Sequence, residues 1–304
     1  MLSLLGIASA GFHFHATRAR SDVVMTLLER LDFQAADAQS LPEVASFFVD
    51  SFWLEGTTFG GGVQLRSGDR KQLIRHVSED LSARYDLAQS PNGKPSLFWR
   101  ELILARDEPG GLIVGCVGLE ASLFDTITGA ALQSRQAERL LRIEIDAMTS
   151  LESERAGAIL RESGVGALAM HVLQRDESLL VQQWAGSHVP HALLANLAVS
   201  PSCRGRGVGR ELCEFAELCC RNMGSILLQV EDANSAAQAL YTRCGYAPIF
   251  RNEDATGLRL SPSKGLMKGL LPIENAALLK EVRTTLVTMA KRVESQTDTQ
   301  SGTV

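Results

Sequence analysis

The chain has 304 residues, a formal net charge of −5, 45% hydrophobic residues and 21% charged ones, the balance of an ordinary soluble globular protein. That charge excludes a global basic field for nucleic acid, and no run of 18 or more apolar residues is present to span a membrane. The length suits one large domain with additions.

Residues 1–21, "MLSLLGIASAGFHFHATRARS", contain no acid and carry Arg18 and Arg20. The apolar part is too short for a secretory signal. Arg and Ser without acids suit an organelle transit peptide, with a frayed N-terminus as the alternative over 1–30. A short strand near Phe33 precedes a helix, where Ser40 and Glu43 have capping-box spacing and Leu41, Val44, Ala45, Phe48 and Phe52 recur at helical intervals. "EGTTFGGGVQL" is a glycine-rich loop. Gly56 and Gly61 have P-loop spacing, but Gly62 and Val63 follow where Lys and Ser/Thr are needed, so it is not a phosphate cradle. A second helix is expected over Asp69 to Tyr85.

"ELILARDEPGGLIVGCVGLEASLF" reads as a hairpin turning at Pro109-Gly110-Gly111. The stretch 125–189 reads as two or three helices, with His171 and His188 as structural histidines. "ALLANLAV" is then a strand, and a helix follows from Gly207 to Met223. "SILLQVE" is another strand. Asn234 caps a helix with Ala237, Leu240, Tyr241 and Cys244 on its apolar face, stopped by Gly245. "YAPIF" and "GLRLSPSKGLMKGL" give two further strands. Leu279, Val282, Leu286, Met289 and Val293 alternate three- and four-residue steps, which predicts a C-terminal helix over 273–293, and 294–304 reads as a disordered tail. The six cysteines, at 116, 203, 213, 219, 220 and 244, have neither C-x-x-C nor zinc spacing; they read as core thiols in a reducing compartment, and no metal is expected.

The turn "RGRGVG" carries the chemistry. A helix start leaves four N–H groups without intrahelical partners, and the helix dipole favours anions there. Gly205, Gly207 and Gly209 remove Cβ atoms from that approach, and Arg204, Arg206 and Arg210 add positive charge. A strand running into such a turn makes a pyrophosphate cradle. The dinucleotide fingerprint G-x-G-x-x-G is not met.

"LANLAVSPSCRGRGVGRELCEFAELCC" resembles the acetyl-CoA motif of GCN5-related N-acetyltransferases (GNAT), (Arg/Gln)-x-x-Gly-x-(Gly/Ala), filled by Arg204, Gly207 and Gly209. "LLQVEDANSAAQALYTRCGYAPI" resembles the second motif of that family, and the two cover about 190–250, closest in flavour to plastid protein acetyltransferases. The resemblance implies an α/β fold: a central, mostly antiparallel mixed sheet flanked by helices. The helical insertion 125–189 then falls between strands 3 and 4, in a domain over 31–272 followed by the C-terminal helix.

The resemblance also implies acetyl-CoA as co-substrate. Leu197, Ala198 and Val199 offer main-chain groups to the pantetheine arm, the N–H groups from Gly205 through Val208 to Arg210 hold the pyrophosphate, and Asn234 helps hold the cofactor. The Val199 N–H is the expected oxyanion donor. Tyr241 is the general acid for the leaving thiolate, or otherwise a core tyrosine on the apolar stripe. Glu120, Glu231, His191 and a water relay stay open as the proton acceptor; Gln229 stands on the strand before Asn234, where some members carry Glu, and cannot serve. The family's acceptor site would put the loop "GTTFGGGVQL" beside the amine. The expected activity is acetyl transfer to protein amines, lysine side chains or N-termini. The alternatives are a small-amine acetyltransferase or a catalytically inactive acetyl-CoA-binding module. A plastid location is expected, with the cytoplasm as alternative.

Overall fold

Alternation along "ELILAR" shows how the molecule is layered: Leu102 and Leu104 face one side of the sheet, Ile103 and Ala105 the other. The computed structural model describes residues 31–54, 65, 67–85, 87, 100–127, 129, 131–132, 148–159, 171, 188–260 and 279–293. Its strands are β1 (Asp32–Ala35), β2 (Arg100–Arg106), β3 (Ile113–Asp125), β4 (Ala131–Leu132), β5 (His188–Val199), β6 (Ser225–Glu231), β7 (Ala247–Leu260) and β8 (Leu279–Arg292). The order across the sheet is β1-β2-β3-β5-β6-β8-β7, with β4 paired to β3. Every pairing is antiparallel except β5–β6.

Helices α1 (Leu41–Phe48) and α2 (Ser67–Tyr85) cover one face, burying Val44, Ala45, Leu73, Val77 and Leu81 against Leu102, Leu104 and Cys116. Helices α4 (Val208–Cys219) and α5 (Ser235–Arg243) share the opposite core, where Leu212, Ala216 and Tyr241 meet Ile103, Val117, Leu194 and Leu228. Helix α3 is seen over 150–159 in the stretch between β3 and β5. Thr149 and Glu152 form a capping box there: the Thr149 hydroxyl and N–H both donate to the Glu152 carboxylate, at 2.8 and 3.0 Å.

Four expectations need correction. The segment expected to be a C-terminal helix is strand β8, inserted between β6 and β7, so the sheet extends past residue 272. Its β-branched residues Val282, Thr284, Thr285, Val287 and Thr288 suit a pleated surface with partners on both edges. "APIF" and "GLRL" are parts of one long strand, β7, carried through register shifts, with Tyr246 just before it. Ser40 makes no capping box. Asp37 instead accepts from the N–H groups of Gln39 and Ser40, and Glu43 turns away to Arg106 at 2.7 and 2.9 Å. Helix α1 also continues as a π-helical stretch over Val49–Leu54, which rotates Ser51 and Trp53 inward and leaves Phe52 half-buried. The leader 1–30, the loop 55–64 and the tail 294–304 lie outside the described residues.

Candidate active site

Strand β5 is bent by one extra residue. Cys116 of β3 lies opposite Ala198 and Gly118 opposite Ala195, so two steps on β3 meet three on β5. The extra residue sits at Asn196, whose φ of 50° is the one positive value among described non-glycine residues. Its Nδ2 donates to the Tyr85 hydroxyl at 2.9 Å, and that hydroxyl occupies the space a Cβ on Gly118 would need. The bulge reverses the strand's facing. Ala192 and Leu194 point to the α4/α5 core, but Ala198 points to the α1/α2 core, and Leu197 and Val199 now face α4 and α5.

The bulge also ends the parallel ladder. β5 and β6 pair at Ala192–Ile226, Leu193–Leu227 and Leu194–Leu228, and the pairing stops there. Beyond it, the edge of β5 from Ala195 to Val199 stands open toward β6. Ser200 N–H donates to Val114 O at 2.9 Å, which makes that pair a hydrogen-bonded one. Val199, opposite Gly115, is therefore in a non-hydrogen-bonded pair, and its N–H and C=O point away from β3 into the opening. The carbonyl already accepts from Arg204 Nε at 3.3 Å; the N–H is the group left to meet a ligand.

The glycine turn closes the same end of β5. Its three glycines do different work. Gly205 has φ of 75° with nothing within 4 Å of a Cβ position; Gly207, the N-cap of α4, has φ of 95°. Both conformations favour glycine, and both leave the approach bare. Gly209 instead allows close packing: a Cβ there would lie 3.0 Å from Leu240 and 3.6 Å from Val199. Arg210 and Glu211 N–H both donate to Gly207 O, at 2.9 and 3.0 Å, whereas the N–H groups of Val208 and Gly209 open the helix without an intrahelical acceptor. This donor set, beside two glycines that carry no Cβ, fits a phosphate or diphosphate.

The arginines are less alike than the motif suggests. Arg204 sends its guanidinium back into the protein, donating from Nη2 to Ser51 O at 2.7 Å and bracing the π-helical stretch. Arg210 makes an exposed i,i+4 contact with Glu214 at 3.6 Å, and Arg206 is exposed.

Helix α5 has Asn234 at its start and, near its end, Tyr241, which is buried in the core shared with α4. Asn234 caps the helix by accepting from Ala237 N–H at 3.1 Å, which engages Oδ1 and leaves Nδ2 as its donor. The helix ends in a Schellman motif: Tyr246 N–H donates to Tyr241 O and Gly245 N–H to Thr242 O, with Gly245 at φ of 89°. Tyr241 follows Leu240, the residue that meets Gly209, and packs edge-on to Tyr246 with centroids 6.0 Å apart. Burial pushes its hydroxyl pKa well above 10, so it is protonated throughout the neutral range.

The three expected proton acceptors are each committed elsewhere. Glu120, buried on β3, pairs with Arg84. Glu231 forms a bidentate pair with Arg259. His191 sits at the far end of β5, eight residues or roughly 26 Å of strand from Val199, bonded to Ser225 and held neutral by burial. Gln229 lies exposed on β6, 3.5 Å from the Thr288 hydroxyl. Two site residues escape the sequence reading, Tyr85 and Ser51. An asparagine inside an apolar strand was the signal for the first; nothing local announces the second.

The arrangement is a parallel strand pair that separates beyond Leu194, ended by a helix start whose free N–H groups suit an anion. Residues 150–246 match the family described as acetyltransferase (GNAT) family. The matched segment, about a third of the chain, contains the strand, the glycine turn with α4, and α5, so this part of the chain resembles a GNAT acetyltransferase domain.

Among solved structures, the chain is similar to the ribosomal-protein-S18-alanine N-acetyltransferase of Escherichia coli, at 11% identity and a TM-score of 0.40, covering 87% of this chain and 94% of that one. It is similar to Arabidopsis thaliana NAA60 in complex with acetyl-CoA, at 12% identity and 0.38, covering 86% and 98%. It is similar as well to spermidine/spermine N-acetyltransferase SpeG of Vibrio cholerae, at 12% and 0.38, covering 88% and 94%. Likenesses at this level give no acceptor.

Proposed function

We propose that the protein transfers an acetyl group from acetyl-CoA to protein amines, lysine side chains or N-termini, by direct attack of the amine on the thioester. The observation that carries this reading is the opening between β5 and β6, with the Val199 main chain facing it and the bare α4 start at its end. The Ala195–Val199 edge receives the pantetheine arm as an added strand would. The N–H groups of Val208 and Gly209 hold the pyrophosphate, with Gly205 and Gly207 leaving the way clear and Arg206 and Arg210 adding charge. Asn234 Nδ2 steadies the cofactor from the start of α5. The Val199 N–H receives the charge that grows on the thioester oxygen, and the Tyr241 hydroxyl gives its proton to the departing sulfur.

The charge around the opening supports a peptide acceptor over a polycationic small amine. Among the described residues, the buried carboxylates on the neighbouring strands, Glu120 on β3 and Glu231 on β6, are held by Arg84 and Arg259, and Gln229 on β6 is neutral. A polyamine needs acids free to receive its charges; a peptide brings one amine on an uncharged backbone.

The test is acetylation of a peptide array and of a small-amine panel under the same conditions. Peptide acetylation that needs acetyl-CoA and disappears in Tyr241→Phe is the expected result; transfer confined to small amines overturns the acceptor class. We place the protein in plastids on the acid-free stretch 1–21, and a fusion of residues 1–30 to a reporter that stays cytosolic overturns that placement.

A further inference from the structure

Helix α4 and the elements packed along it meet in three successive rungs. One turn apart on α4 stand Gly209, Cys213 and Glu217. The first rung is Gly209 against Leu240 of α5, so close that a Cβ on the glycine would lie 3.0 Å from the leucine. The third is Glu217 against Lys291 of β8, joined at 2.6 Å, and the Lys291 ε-carbon lies 3.5 Å from where a Cβ on Gly245 would stand. Cys244 lies one turn after Leu240 and immediately before Gly245. With the rungs on both sides in contact, Cys213 and Cys244 face each other across the middle one. Both belong to the same apolar cluster.

We propose that Cys213 and Cys244 are a dithiol that closes reversibly to a disulfide when hydrogen peroxide is the oxidant. Cys244 is the attacking thiol, because it is half-buried and reachable whereas Cys213 is fully enclosed. The neighbouring Cys213 thiol and the Lys291 ammonium favour its thiolate. The thiolate attacks one peroxide oxygen, the O–O bond breaks, and a sulfenic acid forms on Cys244 as hydroxide departs. The Cys213 sulfur then attacks the Cys244 sulfur; the S–O bond breaks, and the hydroxide leaves as water with the Cys213 proton. Two thiols and one peroxide become one disulfide and two waters, the sulfurs losing the two electrons that the peroxide gains. A thiol reductant restores the pair. The bond would tie the helix whose first turn forms the anion site to the helix that carries Tyr241.

The test is intact mass and peptide mapping of the folded full chain after brief peroxide treatment, a readout independent of acetyl transfer. The expected result is loss of two hydrogens, a peptide pair linked through Cys213 and Cys244, and reversal by dithiothreitol. In C213S the link is absent and Cys244 is trapped as a sulfenic acid by dimedone; in C244S neither product forms. Six thiols left titratable in the treated wild type overturn the proposal. So does a link through any of Cys116, Cys203, Cys219 or Cys220 in place of this pair, or conversion of Cys244 to a sulfinic acid with no link. Because mapping is done on the wild type, a variant that fails to fold does not spare it.

Discussion

The two halves of β5 are built for opposite purposes. From Ala192 to Leu194 the strand is paired on both edges, to β3 and to β6, and His191 just before it is bonded to Ser225 and kept neutral. From Ala195 to Val199 it is paired on one edge, carries the left-handed Asn196 and turns an unused N–H toward the opening. One inserted residue separates them. A ladder satisfies backbone groups by using them up; a binding strand must keep some unsatisfied, and a bulge achieves this without loosening the core on either side. Tyr85, reaching from the opposite helical layer to Asn196, holds the change in place.

The contrast can be broken at graded cost. At the open end, Tyr241→Phe removes the proposed proton donor; kcat should fall by about 10²–10⁴ with coenzyme binding intact by calorimetry. Because burial raises this hydroxyl above its usual range, wild-type kcat should show no alkaline fall from it through about pH 10. Gly207→Val forces a branched side chain to φ of 95° at the N-cap, a cost of about 1–3 kcal/mol. If the strain is relieved by reshaping the turn, that is roughly ten- to a hundredfold in coenzyme affinity, and unchanged affinity would remove the turn from the site.

At the pivot, Gly118→Ala sets a Cβ 1.8 Å from the Tyr85 hydroxyl and should lower urea stability by about 1–3 kcal/mol, through overpacking. Tyr85→Phe takes away only the bond to Asn196, at about 1 kcal/mol, and should raise KM for acetyl-CoA more than it lowers kcat. At the paired end, His191→Gln should change kcat/KM by no more than roughly threefold, against the 10²–10⁴ of a true base; a larger loss would mean that the two ends are coupled.

Local patterns announced the strand, the glycine turn and the two helices that follow it. "LANLAVSP" ran into its turn as expected, Gly207 opened the helix, Asn234 capped the next and Gly245 stopped it, because strand, cap and stop are each written in a few adjacent residues. Patterns failed where a distant partner won. Val282 to Val293 had helical spacing, but β6 and β7 offered both edges, and a strand between two partners outweighs a weak periodic stripe. Ser40 and Glu43 had capping spacing, but the Arg106 guanidinium, 63 residues on, took the carboxylate. The motif arginine at 204 looked like a phosphate ligand, and its guanidinium is spent on a carbonyl of the π-helical stretch.

Residue order alone settles what depends on neighbours in the chain: which segments alternate, where helices begin and end, and which glycines can take positive φ. Tertiary structure decides what depends on residues brought from afar. It bends β5 at Asn196, disarms Glu120, Glu231 and His191 by pairing each, and lines up Cys213 with Cys244. Hydrogen-bond spacing and capping act over a few residues, whereas charge pairing and strand-edge completion act through space between groups whose separation in the chain carries no signal.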